Sequence, residues 1–189
     1  MERTRFLQPE EFNQDFFDGF ISGNQHLGGY WNYNQTYNEK EWKSIARIFV
    51  RFGIQSPALE VACAKGFLLK ALRSLGVEII GMDISPYAVE HAINCGVVVG
   101  DVRKDLQQFT PGQFATVISH QFFTMLSEED VRKVVLEMNR VAKKQIHIIQ
   151  EAPDTRFNIS HPIAWWAKLP FHSGTVLIGE ENNQNVAIV

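Results

Sequence analysis

At 189 residues, 45% hydrophobic and 21% charged, the chain is long enough to bury one substantial core without disulfides or metals, and a single domain suffices. A net charge of −3 carries no polyanion-binding signature, which sets nucleic acid aside as a partner. No stretch approaches the roughly 20 apolar residues of a membrane span, and Met1-Glu2-Arg3-Thr4-Arg5 is followed by no apolar leader core. The two cysteines, Cys63 and Cys95, form no metal-spaced cluster, so a soluble, untargeted protein with reduced thiols in a cytoplasmic setting is expected.

Residues 1–44 are polar, aromatic-rich and irregular, and read as a cap or lid on a domain that occupies 45–189. Within the cap, Pro9 to Ile21 predicts a helix, followed by a Gly28-Gly29-Tyr30-Trp31-Asn32-Tyr33 loop. From Glu41 to Phe52, Trp42, Ile45, Ala46, Phe49 and Val50 recur at helical spacing and Gly53 supplies a stop. Ala58 to Val61 is a buried strand. Phe67 to Leu75 is a helix closed by Gly76, and Val77 to Met82 is the second strand. Ser85-Pro86 opens the next helix as cap and first-turn proline, and Asn94 and Gly96 end it. Val97 to Val99 and Phe114 to Ser119 are the third and fourth strands.

Ser127-Glu128-Glu129-Asp130 has the capping-box pattern, and Val131, Val134, Val135, Met138 and Val141 mark one face of the helix that follows. Lys143-Lys144 is placed to close that helix against its dipole. Gln145 to Gln150 is the fifth strand, Pro162 to Leu169 a short helix, and Thr175 to Gly179 with Asn185 to Val189 a terminal hairpin around Glu180-Glu181-Asn182-Asn183-Gln184. The fold class is α/β: a mostly parallel seven-stranded sheet, helices on both faces, and a C-terminal β-hairpin.

In an open α/β sheet ligands lie at the carboxyl ends of the strands. Here those ends carry Glu60, the Ala62 to Gly66 turn, Asp83, Asp101 and Ser119 to Gln121. A dinucleotide site offers G-x-G-x-x-G for close approach of a pyrophosphate. This turn instead spaces Ala62, Ala64 and Gly66 two and two, behind an acid that repels a diphosphate and attracts a cation.

On these residues the chain resembles the class I S-adenosylmethionine-dependent methyltransferases over residues 55 to 151. Glu60-Val61-Ala62-Cys63-Ala64-Lys65-Gly66 is similar to their first motif, [DE]-x-G-x-G-x-G, with alanine at the first two glycine positions. Gly81-Met82-Asp83-Ile84-Ser85 resembles the second, where the acid takes the ribose hydroxyls, and Gly100-Asp101-Val102 the third, where an acid side chain and the next amide address the adenine. The resemblance implies a Rossmann-like fold, S-adenosylmethionine as cofactor with S-adenosylhomocysteine as product, and methyl transfer to an oxygen or nitrogen of a small molecule (EC 2.1.1 type). The expected cofactor contacts are Tyr30, Glu60, Ala62, Ala64, Gly66, Asp83, Ile84, Asp101, Val102, His120 and Gln121, with no metal. A monomer or homodimer acting on a small-molecule acceptor is expected.

The departures define alternatives. A left-handed turn at Ala62 costs roughly 1 kcal/mol or more relative to glycine, whereas Ala64 is harmless if its backbone angles are ordinary. The acid and Glu-His that many family members place after the fourth strand are replaced by Gln121, Thr124 and Met125. One alternative is therefore a protein that binds S-adenosylmethionine or S-adenosylhomocysteine without transferase activity. Another is an NAD(P)-dependent oxidoreductase on the same sheet, which the turn spacing disfavours.

His120 at the mouth of the site is the candidate proton acceptor. Its bland counterpart is a hydrogen-bonded strand-end histidine. Glu60 has a structural alternative as well, a hydrogen bond to amides near Gly66. His161, near Trp165-Trp166, is read as a possible wall of the acceptor pocket, while His26, His91, His147 and His172 carry no argument. Tyr30, Trp31, Tyr33, Tyr37, Phe122, Phe123, Trp165 and Trp166 either enclose an apolar acceptor or pack the cap onto the sheet, and packing is expected for more than half. Cys63 reads as a small buried filler.

Overall fold

The computed structural model describes residues 8–24, 29–93, 96–150, 159, 161–179 and 186–189. Gly28, His26, Asn94, Cys95 and the hairpin turn at 180–185 lie outside the described residues.

Seven strands form one sheet in the order β3-β2-β1-β4-β5-β6-β7. They are β1 Ala58–Val61, β2 Ile79–Asp83, β3 Val97–Val99, β4 Phe114–His120, β5 Ala142–Ile149, β6 Val176–Gly179 and β7 Val186–Ile188. All neighbours run parallel except β6 and β7, which pair antiparallel with Val176 opposite Ile188, as the terminal hairpin requires. The strand order reverses between β1 and β4, which sets a crevice at their carboxyl ends.

Because side chains alternate across a strand, successive residues feed two cores. On one face α2 (Glu39–Arg51) and α3 (Phe67–Ser74) bury Ala46, Phe49, Leu68 and Leu72 against Ala58, Ile118, Ile146 and Ile148. On the other, α5 (Glu128–Val141) and α6 (Ile163–Trp166) bury Val131, Val134, Val135, Met138 and Trp166 against Leu59, Val61, Val117 and Ile149. The remaining helices are α1 (Gln14–Ser22) in the N-terminal segment and the short α4 (Pro86–Glu90). Gly81 lets α3 approach β2 closely, since a Cβ there would lie 2.4 Å from Leu69 Cδ1 and 2.5 Å from Cys63 Sγ.

Local signals explain most boundaries. Asn38, Ser85 and Ser127 cap α2, α4 and α5 through their side-chain oxygens, Ser127 accepting from the Asp130 amide at 3.1 Å. Two expectations are corrected. The Pro9 to Ile21 helix is broken: a single turn at Pro9–Glu11 precedes α1, and α1 itself kinks at Asp18, whose backbone leaves the helical region (φ −137°, ψ 56°). Lys143 and Lys144 do not close α5, because the chain becomes extended at Ala142 directly after the helix. Lys144 instead reaches across from β5 and donates to the carbonyls of Phe52 (2.5 Å) and Gly53 (3.1 Å), neutralising the C-terminus of α2.

Between β4 and β5 the core holds a polar chain that the sequence did not announce. Ser119 Oγ lies 2.9 Å from His147 Nδ1, His147 Nε2 lies 2.9 Å from Gln145 Oε1, and Gln145 donates onward to Asn139. Ser119, Gln145 and His147 have no solvent exposure, and Phe123 and Phe171 enclose the imidazole. Burial holds His147 down at about 3, so the ring is neutral.

Candidate functional site

The carboxyl ends of β1, β2 and β4 and the loop after β3 form the floor of a cavity of about 620 Å³, within the range of nucleoside-sized ligand sites. The N-terminal segment forms its roof with Phe12, Phe16, Phe17, Tyr30 and Tyr33, and Trp42 and Ile45 of α2 close one end. Among the expected cofactor contacts, Tyr30, Ala62, Ala64, Asp83, Ile84, Asp101, Val102, His120 and Gln121 line this cavity. Glu60 and Gly66 do not: Glu60 is sealed beneath the turn, and a Cβ on Gly66 would face Leu69 and Val97.

The turn between β1 and α3 is left-handed at three residues, Ala62 (φ 54°), Ala64 (φ 47°) and Gly66 (φ 76°). Ala64 is therefore not at ordinary angles, contrary to expectation, and each alanine carries roughly 1–2 kcal/mol of backbone strain. The reason lies across the turn: the Ala64 amide is turned to donate to Asp83 Oδ2 at 2.7 Å, while the Ser85 amide donates to Oδ1 at 2.9 Å. Gln121 is likewise left-handed (φ 55°), its amide donating to the Ile148 carbonyl at 2.8 Å. Strain of this kind concentrates at binding sites. Ala62→Gly/Ala64→Gly is expected to leave stability within about 1 kcal/mol, since relieved strain and the greater freedom of the unfolded glycine chain oppose one another. The removal of two methyl groups from the cavity wall should raise nucleoside affinity severalfold. Urea midpoints and calorimetric titration test both, and a lower affinity would mean that the alanines shape the site favourably.

Electrostatically the floor is acidic and under-compensated. Burial raises Asp83 to about 6 in spite of its two backbone hydrogen bonds. Glu60 is pushed well above the usual carboxylate range by burial and by the charge of Asp83, and its Oε2 is buried without a hydrogen-bond partner. The anticipated structural bond from Glu60 to the amides near Gly66 is absent, because the Gly66 amide donates to the Cys63 carbonyl. Two adjacent buried acids, one of them unsatisfied, are an environment that a cationic ligand stabilises. Burial, followed by the charges of Tyr30, Asp83 and Glu60, raises the Tyr33 hydroxyl as well and keeps it neutral.

At the β3 end, Asp101 is committed to Arg103. The guanidinium Nε lies 2.9 and 3.1 Å from the two carboxylate oxygens, and a terminal nitrogen lies 2.8 Å from Oδ2. Burial alone would raise Asp101, but the Arg103 hydrogen bonds and charge prevail and hold it below its ordinary value. Arg103 also lines the cavity, so this end presents a carboxylate–guanidinium pair in place of a lone acid.

His120 packs edge-on to Trp42 at 5.5 Å between ring centres, and burial lowers it to about 4. It is neutral and able to accept a proton, although its conjugate acid is strong and the base correspondingly weak. His161 does not reach the cavity: it stacks on Trp165 at 3.9 Å and lies 3.0 Å from Glu128 at the start of α5. Phe122 lines the cavity, whereas Phe123 and Trp166 are core residues.

The residue pair that sequence reasoning missed is Asp18 and Lys65. Lys65, inside the turn, and Asp18, at the kink of α1, form an ion pair with both side chains at 1% exposure or less. Asp18 Oδ2 also accepts from Tyr87 Oη at 3.0 Å, and Oδ1 from the Tyr33 amide at 3.1 Å. The kink lets the carboxylate reach all three donors, which staples the roof to the turn. Each residue alone carried a hint that it would be buried and need a counter-charge, one lysine in a turn of small residues and one acid within Phe16-Phe17-Asp18-Gly19-Phe20, but not that the two would meet.

A family model described as a methyltransferase domain matches residues 59–149. That segment contains the turn, Asp83, Asp101 and His120, the floor just described. Over residues 59–149 the chain resembles a methyltransferase domain. The S-adenosylmethionine-dependent methyltransferase from Archaeoglobus fulgidus superposes with a TM-score of 0.50 at 20% identity, over 57% of this chain and 49% of that one. A protein from Methanococcus maripaludis assigned to the same activity gives 0.51 at 19% identity, over 77% and 58%. These likenesses establish the Rossmann-like methyltransferase fold, and the chain spans about half the length of the solved proteins it matches. No curated protein matches the sequence significantly. The methyltransferases this chain resembles use S-adenosylmethionine, and the residues lining the cavity fit it: Asp83, backed by the buried Glu60, favours a cation, and the left-handed turn opens backbone to a ligand. Among the described residues no helix is long and apolar enough to cross a membrane.

Proposed function

We propose that the protein is an S-adenosylmethionine-dependent methyltransferase acting on an oxygen or nitrogen of a small molecule. The observation that carries this reading is Asp83, held by two backbone amides at the floor of a 620 Å³ cavity and backed by the buried Glu60, whose Oε2 has no hydrogen-bond partner among the described residues. The cofactor supplies a methyl group already activated on a sulfonium. Asp83 takes the ribose hydroxyls, Ala62 and Ala64 present backbone to the nucleoside, and Val102 with the Asp101–Arg103 pair bounds the adenine. Tyr30 and the other roof aromatics exclude water, and Gln121 and the neutral His120 face the space where an acceptor is aligned. Alignment alone is worth about 7–11 kcal/mol in favourable cases, so a weak base at His120 suffices.

Calorimetry with S-adenosylhomocysteine and S-adenosylmethionine tests the reading directly. Asp83→Asn is expected to bind roughly 10- to 100-fold more weakly, the loss of a charged hydrogen-bond partner, and to cost about 1–3 kcal/mol of stability, because the Asn amide can accept from only one of the Ala64 and Ser85 amides. Unchanged affinity would end the ribose assignment. The strained alanines favour a second reading, a cofactor-binding protein without transferase activity. Release of isotope-labelled methyl to candidate acceptors separates the two.

A further inference from the structure

Once the nucleoside is assigned to the β1–β3 side, the end of the cavity beyond β4 is bounded by Thr36, Glu41, Trp42, Ile45 and His120. The Trp42 indole spends its N–H on the Thr36 carbonyl at 3.2 Å, so the ring offers apolar surface rather than a donor. Trp42 is held in place between Phe67, 5.8 Å away, and His120, 5.5 Å away. Burial keeps His120 neutral, which leaves Glu41, in the first turn of α2, as the charged group at this end. Across the whole cavity the described lining residues set Glu41, Asp83, Asp101 and Asp130 against Arg103, which is itself bound to Asp101. An anionic acceptor would meet net negative potential in a partly desolvated space.

We propose that the Trp42–His120 end is the acceptor subsite and takes a small flat apolar molecule bearing a basic amine, with Glu41 selecting the amine over an acid. This deepens the methyltransferase reading and rests on it. The flat body lies against Trp42 and Ile45, aromatic surface being a large apolar contact at little conformational cost. The amine is directed toward Glu41, where an exposed ion pair discriminates modestly and the surrounding carboxylates add to it.

The test is binding rather than turnover. With the protein saturated in S-adenosylhomocysteine, 2-phenylethylamine, 2-phenylethanol and 3-phenylpropionate are titrated by calorimetry, and quenching of tryptophan fluorescence is followed in parallel. The amine is expected to bind at least about fivefold more tightly than the acid, with the alcohol between. Glu41→Gln should shrink that ratio by about threefold, and Trp42→Phe should remove most of the quenching. Equal or tighter binding of the acid, a ratio unmoved by Glu41→Gln, or quenching that survives Trp42→Phe would each overturn the proposal while leaving the cofactor reading intact. Failure of S-adenosylhomocysteine itself to bind would overturn both.

Discussion

Lys65→Met is expected to cost about 3–5 kcal/mol of stability, the usual penalty for leaving one member of a buried ion pair uncompensated. Asp18 would remain wholly buried at the α1 kink, with only Tyr87 and the Tyr33 amide to satisfy its charge. The cheapest escape is for α1 to swing out and hydrate the carboxylate. That would separate Phe16, Phe17, Tyr30 and Tyr33 from the floor and open the cavity. Urea unfolding should therefore report the loss, and hydrogen exchange should localise early opening to residues 13–37. Asp18→Asn in the Lys65→Met background should recover part of the energy, because the stranded charge is gone. A loss below about 1 kcal/mol in the single variant would show that the pair contributes no more than an exposed one.

The second large effect is the pH response carried by His147. His147 sits about 3 in the fold against 6.5 in an unfolded chain. A group whose folded value is depressed stabilises the fold above its unfolded value, and that contribution is lost as pH falls through the window between the two. Between pH 6.5 and 4 the unfolded state takes up a proton that buried His147 refuses, costing roughly 3 kcal/mol. His120 acts in the same direction but less, since burial lowers it only to about 4. Asp83 opposes them. Its folded value is raised to about 6, so its contribution is fully present below 3.8 and is lost as pH rises through 6. Glu60, also raised by burial and by the charge of Asp83, adds to Asp83 in opposing the histidines, so the net slope between pH 6.5 and 4 is shallow. His147→Asn removes one destabilising proton uptake and should therefore raise the urea midpoint at pH 4 relative to that at pH 6.5 by the equivalent of roughly 3 kcal/mol, at some cost in stability near neutrality. A pH dependence unmoved by His147→Asn would show that His147 does not set it.

Much of the fold was legible in one dimension because its signals are local. The two-residue alternation of Gln145 to Gln150, the Ser127 cap with its Val131 to Val141 stripe, and Ser85-Pro86 act over a single turn or strand. The cavity floor was legible for the same reason: each of its residues ends or follows a strand, and parallel strands bring their carboxyl ends together.

The sequence by itself determined the α/β class, the seven strands and the identity of Asp83, Asp101 and His120 as strand-end residues. Only the tertiary structure decided what those residues face. Asp18 and Lys65 stand 47 positions apart, and Ser119 and His147 28 apart. Nothing in a short window signals that either pair will meet, since the encounter is set by how helices and strands pack. Packing likewise decided that Ala64 is left-handed, that Asp101 closes on Arg103, and that Lys144 caps a helix other than the one it follows. Local sequence fixes which groups carry charge and which way the backbone prefers to run. Burial and the company of distant residues determine the proton affinity of those groups and the ligand they are able to hold.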